Sequence, residues 1–90
     1  MKDSALENWR KRIDELDDQL LTIISQRIQV SRKIGQHKKK NNLPILDKKR
    51  WGIVIEKNSS KADLLNLPKE FVRELFSLIH KYSLEIQKQL

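Results

Sequence analysis

Two cations lie on the apolar face of a long periodic segment in the first half of the chain. Arg27 stands where the pattern places Leu or Ile, and Lys38 follows eleven residues later. On a helix, eleven residues bring Lys38 to within about 20° of Arg27 around the axis, roughly 16 Å further along. A buried guanidinium requires a carboxylate partner, so the two residues suit a small dianion. A structural ion pair or a snorkelling stem would also explain Arg27.

Further polar side chains extend this hypothesis. Arg10 precedes Arg27 by seventeen residues, which places it about 100° around the helix, where it suits a neighbouring subunit's site. Ser83 and Gln87 continue the apolar stripe of the last periodic segment at i and i+4, and they need partners if they are buried. A frayed, half-exposed last turn is the alternative for these two residues.

The sequence offers no general base or nucleophile beside these groups. His37 and His80 are isolated, and an isolated histidine is more often a surface or packing residue than a catalyst. No HExxH motif, P-loop, Ser/His/Asp set or carboxylate pair occurs, and cysteine is absent, so neither a metal site nor a cofactor is expected. Cations without a base suit the binding of a dianion, or a reaction that needs only positioning and electrostatic stabilisation.

Three helices are predicted to position these residues. The first, from about Leu6 to Lys40, has a heptad-like apolar seam and a length of roughly 50 Å, which two shorter helices cannot cover within one small domain. The turn at residues 41–44 ends it, since proline disfavours a preceding helical residue. A short helix follows from about Lys48 to Lys57, with Asp47 as its N-cap. The seam comprises Leu6, Trp9, Ile13, Leu16, Leu20, Ile23, Arg27, Val30 and Ile34.

The third helix is of medium length and is predicted from around Pro68 to the C-terminus, because proline suits a first helical position. Val72, Phe76 and Ile79 form its apolar stripe. All three elements are helical, so the fold class is all-α, within a single domain of residues 1–90. A chain this short buries only about 60% of its unfolded surface, so association is expected to supply part of the core.

Composition restricts the function further. Residues 19–50 have nine basic side chains and one acidic side chain, a net charge of +8. The whole chain has a net charge of +7, so all of the excess positive charge lies in this segment. Such a field attracts anions such as nucleic acid, an acidic membrane or a polycarboxylate, and a solvated lysine face is the plainer explanation. Nucleic-acid binding lacks the support of interleaved aromatic residues or a recognisable reading helix. With neither a membrane span nor a signal peptide in the sequence, a soluble cytoplasmic protein is expected.

Over about Leu6 to Gln87, the chain resembles the all-helical class of chorismate mutases. The resemblance is carried by WRKRIDELD, SQRI, GQHK, LPILDKKR and YSLEIQ. It implies an intertwined homodimer whose sites each receive Arg10 from the other subunit, and the Claisen rearrangement of chorismate to prephenate in phenylalanine and tyrosine biosynthesis. The positions that match the family's substrate-contacting residues are Arg10, Arg27, Lys38, Asp47, Arg50, Ser83 and Gln87.

The resemblance also implies a role for each of these residues. Arg27 and the Arg10 of the other chain would hold the two carboxylates of chorismate. Lys38 and Gln87 would be catalytic, donating hydrogen bonds to the ether oxygen as negative charge develops there. The ring hydroxyl and a carboxylate would be oriented by Asp47, Arg50 and Ser83, although Asp47 also suits a purely structural cap.

One residue departs from the family pattern. Directly after Arg50 the family usually has a glutamate that accepts the ring hydroxyl, whereas this chain has Trp51, whose indole only donates. The alternatives are weaker activity with the hydroxyl held by Asp47 or water, a related pericyclic substrate such as isochorismate or an amino analogue, and a non-catalytic regulatory domain. Trp51 also suits packing between two helices.

Overall fold

The computed structural model describes residues 3–90, so residues 1 and 2 of the predicted domain lie outside the described part. The helices are α1, Ser4–Lys40; α2, Lys48–Ser59; and α3, Lys69–Lys88, with a one-turn 3-10 helix at Asp63–Leu65 that was not predicted. No strand occurs among the described residues. The all-α fold class, with one long, one short and one medium helix, is therefore confirmed.

Local side-chain and backbone hydrogen bonds determine where α1 begins and ends. At its start, the Asp3 carboxylate accepts a hydrogen bond from the Leu6 amide at 3.1 Å, as an N-cap residue does. At its end, Asn42 adopts a left-handed φ of 55°, and the Leu43 amide donates to the Lys38 carbonyl at 2.8 Å. This Schellman geometry terminates the helix at the predicted turn, with asparagine in the place that glycine usually takes.

The starts of α2 and α3 differ in how they are capped. Asp47 Oδ1 accepts a hydrogen bond from the Arg50 amide at 3.0 Å, so the predicted N-cap of α2 is confirmed. Pro68 is the N-cap of α3, with an extended ψ of 130°, rather than its first helical residue. The helix thus begins one residue later than predicted, at Lys69. As in other N-cap residues, the carbonyl of Pro68 accepts the first hydrogen bond of the helix, from the Val72 amide.

The described chain forms two compact units, one up to Val30 and the other from Ser31 to Leu90. The first is a single stretch of α1, whose apolar seam is exposed in one chain. Trp9 is 68% exposed and Ile23 is 61% exposed. In proteins, a helix gains most of its stability by packing an apolar face against another element.

In the unit from Ser31 to Leu90, α2 packs against α3. Val72 of α3 is buried, and Phe76 and Ile79 continue its stripe half-buried. Ala62, just before the 3-10 helix, is also buried. Within residues 3–90, no helix combines the length and the apolar character needed to cross a membrane.

Candidate functional site

The last two turns of α3 present buried polar side chains to the C-terminal part of α1. Ser83 and Gln87 are each 9% exposed, so the alternative of a frayed, half-exposed turn is wrong. Across from them on α1, the buried Ser31 Oγ donates a hydrogen bond to Ser83 Oγ at 3.4 Å. These polar groups thus lie inside a helix contact, where the desolvation cost requires partners for them.

Gly35 makes this close approach of α1 and α3 possible. A Cβ atom at position 35 would lie 2.7 Å from Leu90 Cδ1 and 2.9 Å from Gln87 Cγ, well inside van der Waals contact. A larger residue here would therefore force the side chains of Leu90 and Gln87 to shift. Because Gln87 is one of the displaced residues, the glycine also determines where its carboxamide lies.

We expect Gly35→Ala to lower the free energy of unfolding by roughly 1 kcal/mol, as an overpacking cost of about 1–3 kcal/mol exceeds the gain in helix propensity of about 1 kcal/mol. Gly52→Ala on α2 is the matched control, because a Cβ there meets nothing within 4 Å. It should raise the same quantity by up to about 1 kcal/mol. Urea unfolding of both variants measures the difference, and equal stabilisation by the two would contradict the close contact at Gly35.

A cavity of about 600 Å³ lies beside this contact. Lys38 and Gln87, predicted as the catalytic pair, both line it, together with Gly35 and the turn residues 42–45. Lys38 Nζ donates a hydrogen bond to the Ile45 carbonyl at 2.7 Å. An ammonium group has three donors, so this bond fixes Lys38 while leaving it donors for a ligand.

The side-chain oxygen of Gln87 is buried, and no donor among the described residues pairs with it. A buried polar atom in this state costs free energy unless a ligand or a solvent molecule completes its bonding. The carboxamide thus combines a fixed position with unsatisfied hydrogen-bonding capacity. Both properties suit a group that binds a ligand in the cavity.

Asp47 and Arg50 lie together at the start of α2 and are both exposed. The carboxylate of Asp47 caps the helix through the Arg50 amide, so the structural role considered for it is confirmed. Its predicted substrate role stays a prediction, as does that of the Arg50 guanidinium. The helix start at least holds these two opposite charges at one end of α2.

The two remaining predicted residues belong to the stretch of α1 before Ser31. Arg10 is exposed and pairs with Glu7 one turn away at 3.4 Å. Exposed pairs of this kind contribute about 0–1 kcal/mol, so the guanidinium is readily redirected to another partner. Arg27 is also exposed within one chain, although the sequence pattern had placed it on a buried face. The seam around it is itself exposed, which accounts for the difference.

Trp51 packs between α2 and α3. Its indole stacks on the imidazole of His80, with ring centroids 3.9 Å apart and an interplanar angle of 13°. Both residues are half-buried. Packing between two helices, one of the alternatives considered for Trp51, is therefore confirmed, and His80 is a packed residue with a defined aromatic neighbour.

Sequence reasoning missed Ser31, Gly35 and the pairing of His80. The first two had a detectable signal, since Ser31, Gly35 and Lys38 follow one another at helical spacings of four and three and small residues permit close helix contacts. His80 had a weaker one, its spacing of three from Ser83. No cluster of His, Cys, Asp or Glu within residues 3–90 has the arrangement of a metal site.

Comparison with known proteins identifies a family. A bifunctional chorismate mutase/prephenate dehydratase from Buchnera aphidicola (subsp. Schizaphis graminum) is 32% identical over 83 residues, 92% of this chain and 22% of its own length. A similar bifunctional protein from Aquifex aeolicus is 34% identical, with 86% of this chain and 20% of its own length covered. This chain thus spans about a fifth of these bifunctional relatives.

Two further relatives are close to this chain in length. A chorismate mutase from Methanocaldococcus jannaschii is 24% identical over 89% of this chain and 81% of its own. The solved structure of a conserved hypothetical protein from Pyrococcus furiosus is 30% identical, with a TM-score of 0.77 over 96% of this chain and 99% of its own. The model of chorismate mutase type II matches residues 9–88, and the chain therefore belongs to the chorismate mutase type II family.

Proposed function

We propose that this chain is a chorismate mutase, which rearranges chorismate to prephenate in the biosynthesis of phenylalanine and tyrosine. The observation that carries the proposal is the meeting of Lys38 and Gln87 at one cavity in a chain of this family. The two residues come from different helices. Lys38 has donors beyond its bond to the Ile45 carbonyl, whereas the unpaired atom of the buried Gln87 carboxamide is its oxygen, an acceptor.

The chemistry fits the groups that are present. In the Claisen rearrangement the ether C–O bond of chorismate breaks while a C–C bond forms within the same molecule, so no base or nucleophile is needed. The enzyme has to hold the enolpyruvyl chain over the ring and stabilise the negative charge that gathers on the ether oxygen. Lys38 and the amide group of Gln87 would donate hydrogen bonds to that oxygen.

The carboxylates of chorismate would be bound by arginines, whose planar guanidinium groups suit bidentate pairing. Arg27 would bind one carboxylate, and Arg10 of the partner subunit would bind the other after leaving its weak pair with Glu7. Arg50, Ser83 and Asp47 would orient the ring hydroxyl and a carboxylate. These roles follow the positions that the family uses, and no residue outside the chain's own sequence is required.

A homodimer would supply the missing cover for α1. The seam before Ser31 is exposed along its whole length in one chain, including Ile13 at 56% and Leu20 at 54%. A second copy with the same seam would bury both faces, as in a two-fold interface where one patch meets its own copy. The same arrangement would bring Arg10 to the other subunit.

A continuous assay of chorismate loss with identification of the product tests the proposal. We expect prephenate to form in proportion to the protein concentration. Formation of salicylate from isochorismate, with no turnover of chorismate, would favour the lyase alternative that Trp51 raises. Binding of chorismate without turnover would favour a regulatory domain, and either outcome would overturn the proposal.

A further inference from the structure

The end of α3 is joined to the end of α1 by a charged side chain. Lys39 Nζ, in the last turn of α1, donates a hydrogen bond to the main-chain carbonyl of Leu90 at 2.8 Å. Leu90 lies two residues beyond the end of α3, and carbonyl groups at the end of a helix have no partner within it. Lysine is one of the residue types that satisfy such carbonyls, and here it comes from a different helix.

Leu90 is in turn coupled to Gln87. The Leu90 amide donates a hydrogen bond to the Gln87 carbonyl at 3.4 Å. Their side chains also lie together against α1, because Leu90 Cδ1 and Gln87 Cγ are 2.7 and 2.9 Å from the place that a Cβ atom at Gly35 would take. The terminal turn of a helix opens at little cost in free energy when nothing holds it. A tether at Leu90 therefore also restrains the carboxamide of Gln87.

Lys38 and Lys39 hold two different parts of the cavity wall. Both residues line the cavity, but consecutive side chains on a helix point about 100° apart. Lys38 bonds to the Ile45 carbonyl in the turn after α1, and Lys39 bonds to Leu90 at the end of α3. The two lysines thus fix the turn and the end of α3, which complete the wall that α1 begins.

We propose that Lys39 is a positioning residue, whose bond to the Leu90 carbonyl holds the last turn of α3 where Gln87 lines the cavity. Lys39 acts through the Gln87 carboxamide and not through a contact with the substrate. Misplacement of a reacting group by about 1 Å can cost about 100-fold in rate, so a tether three residues from Gln87 affects the reaction. This inference rests on the proposed function, because Gln87 is assigned to that reaction.

Steady-state kinetics of Lys39→Met test the inference, since this variant keeps the length of the side chain and removes its donors. We expect kcat for chorismate to fall by about fivefold, the value of one typical hydrogen bond, and KM to stay within about twofold. Lys39→Arg keeps a charged donor and should recover most of kcat. Lys40→Met is the matched control, because Lys40 is an exposed cation of the same turn outside the cavity lining. It should keep kcat within about twofold.

Combination with Gln87→Met separates positioning from a direct contact with the substrate. If Lys39 acts through the carboxamide, adding Lys39→Met to Gln87→Met should lower kcat by less than about twofold further. A full fivefold loss in that background, or an effect of Lys39→Met confined to KM, would overturn the inference in favour of a direct contact. Wild-type kcat in Lys39→Met would overturn it as well.

Amide hydrogen exchange gives a second readout that does not depend on activity. The Gln89 and Leu90 amides should exchange about fivefold faster in Lys39→Met, whereas the Phe76 amide in the middle of α3 should not change. Unchanged exchange at the end of α3 would contradict the tether. Failure of any of these predictions for Lys39 leaves the proposed function intact, while failure of the wild-type protein to rearrange chorismate would overturn the proposed function and this inference with it.

Discussion

Lys38→Ala is expected to lower kcat by about 10²–10³-fold, the largest effect of any single substitution in the proposed site. The ammonium is already fixed by the Ile45 carbonyl, so it does not need to reorganise as charge develops on the ether oxygen. A preorganised donor of this kind contributes about 3 kcal/mol to transition-state stabilisation. KM should change much less, because the ether oxygen of the ground state carries little charge.

The control for this prediction is Lys40→Ala, which removes an exposed cation from the same helix end and should retain kcat within about twofold. Lys38→Met keeps the length of the side chain without its charge and should lose as much activity as alanine does. Steady-state kinetics and far-UV circular dichroism are the measurements. Parent-like turnover in Lys38→Ala, with helicity retained, would remove this residue from the catalytic role.

An equal mixture of the Arg10→Ala and Lys38→Ala chains is expected to recover about one quarter of the wild-type activity, although each variant alone is nearly inactive. In a mixed dimer the site with an intact Lys38 receives an intact Arg10 from the other chain. The second site of that dimer has both defects. Random pairing makes half of the dimers mixed, and half of their sites are complete.

The experiment refolds the two variants together from denaturant and compares the specific activity with that of each variant refolded alone. Wild-type chains taken through the same procedure define full recovery. If Arg10 served the site of its own chain, every site in a mixed dimer would have one defect. The mixture would then be as inactive as its components, which would contradict the proposed exchange of Arg10 between subunits.

The helices were predictable because their ends depend on local chemistry. The turn at Asn42 and the cap at Asp47 involve residues within a few positions of one another, and such signals are contained in the sequence itself. The same locality explains the correct grouping of Ser83 with Gln87 on one face of α3. The 3-10 helix at Asp63–Leu65 was missed because a single turn offers no periodicity to detect.

Contacts between distant parts of the chain were less predictable. The stack of Trp51 on His80 joins residues on two helices, and neither residue type indicates the other in sequence. The close approach at Gly35 also depends on where α3 ends. Arg27 was assigned to a buried face because the seam pattern does not distinguish burial within a chain from burial between chains.

The exposed seam of α1 has a consequence for how the activity would depend on abundance. If a second chain covers that seam, folding and assembly become one bimolecular equilibrium, and mass action governs both. Dilution would then dissociate the paired helices, and the complete substrate site would be lost with them. At low expression, a cell that doubled its supply of this polypeptide would gain more than twice the metabolic flux.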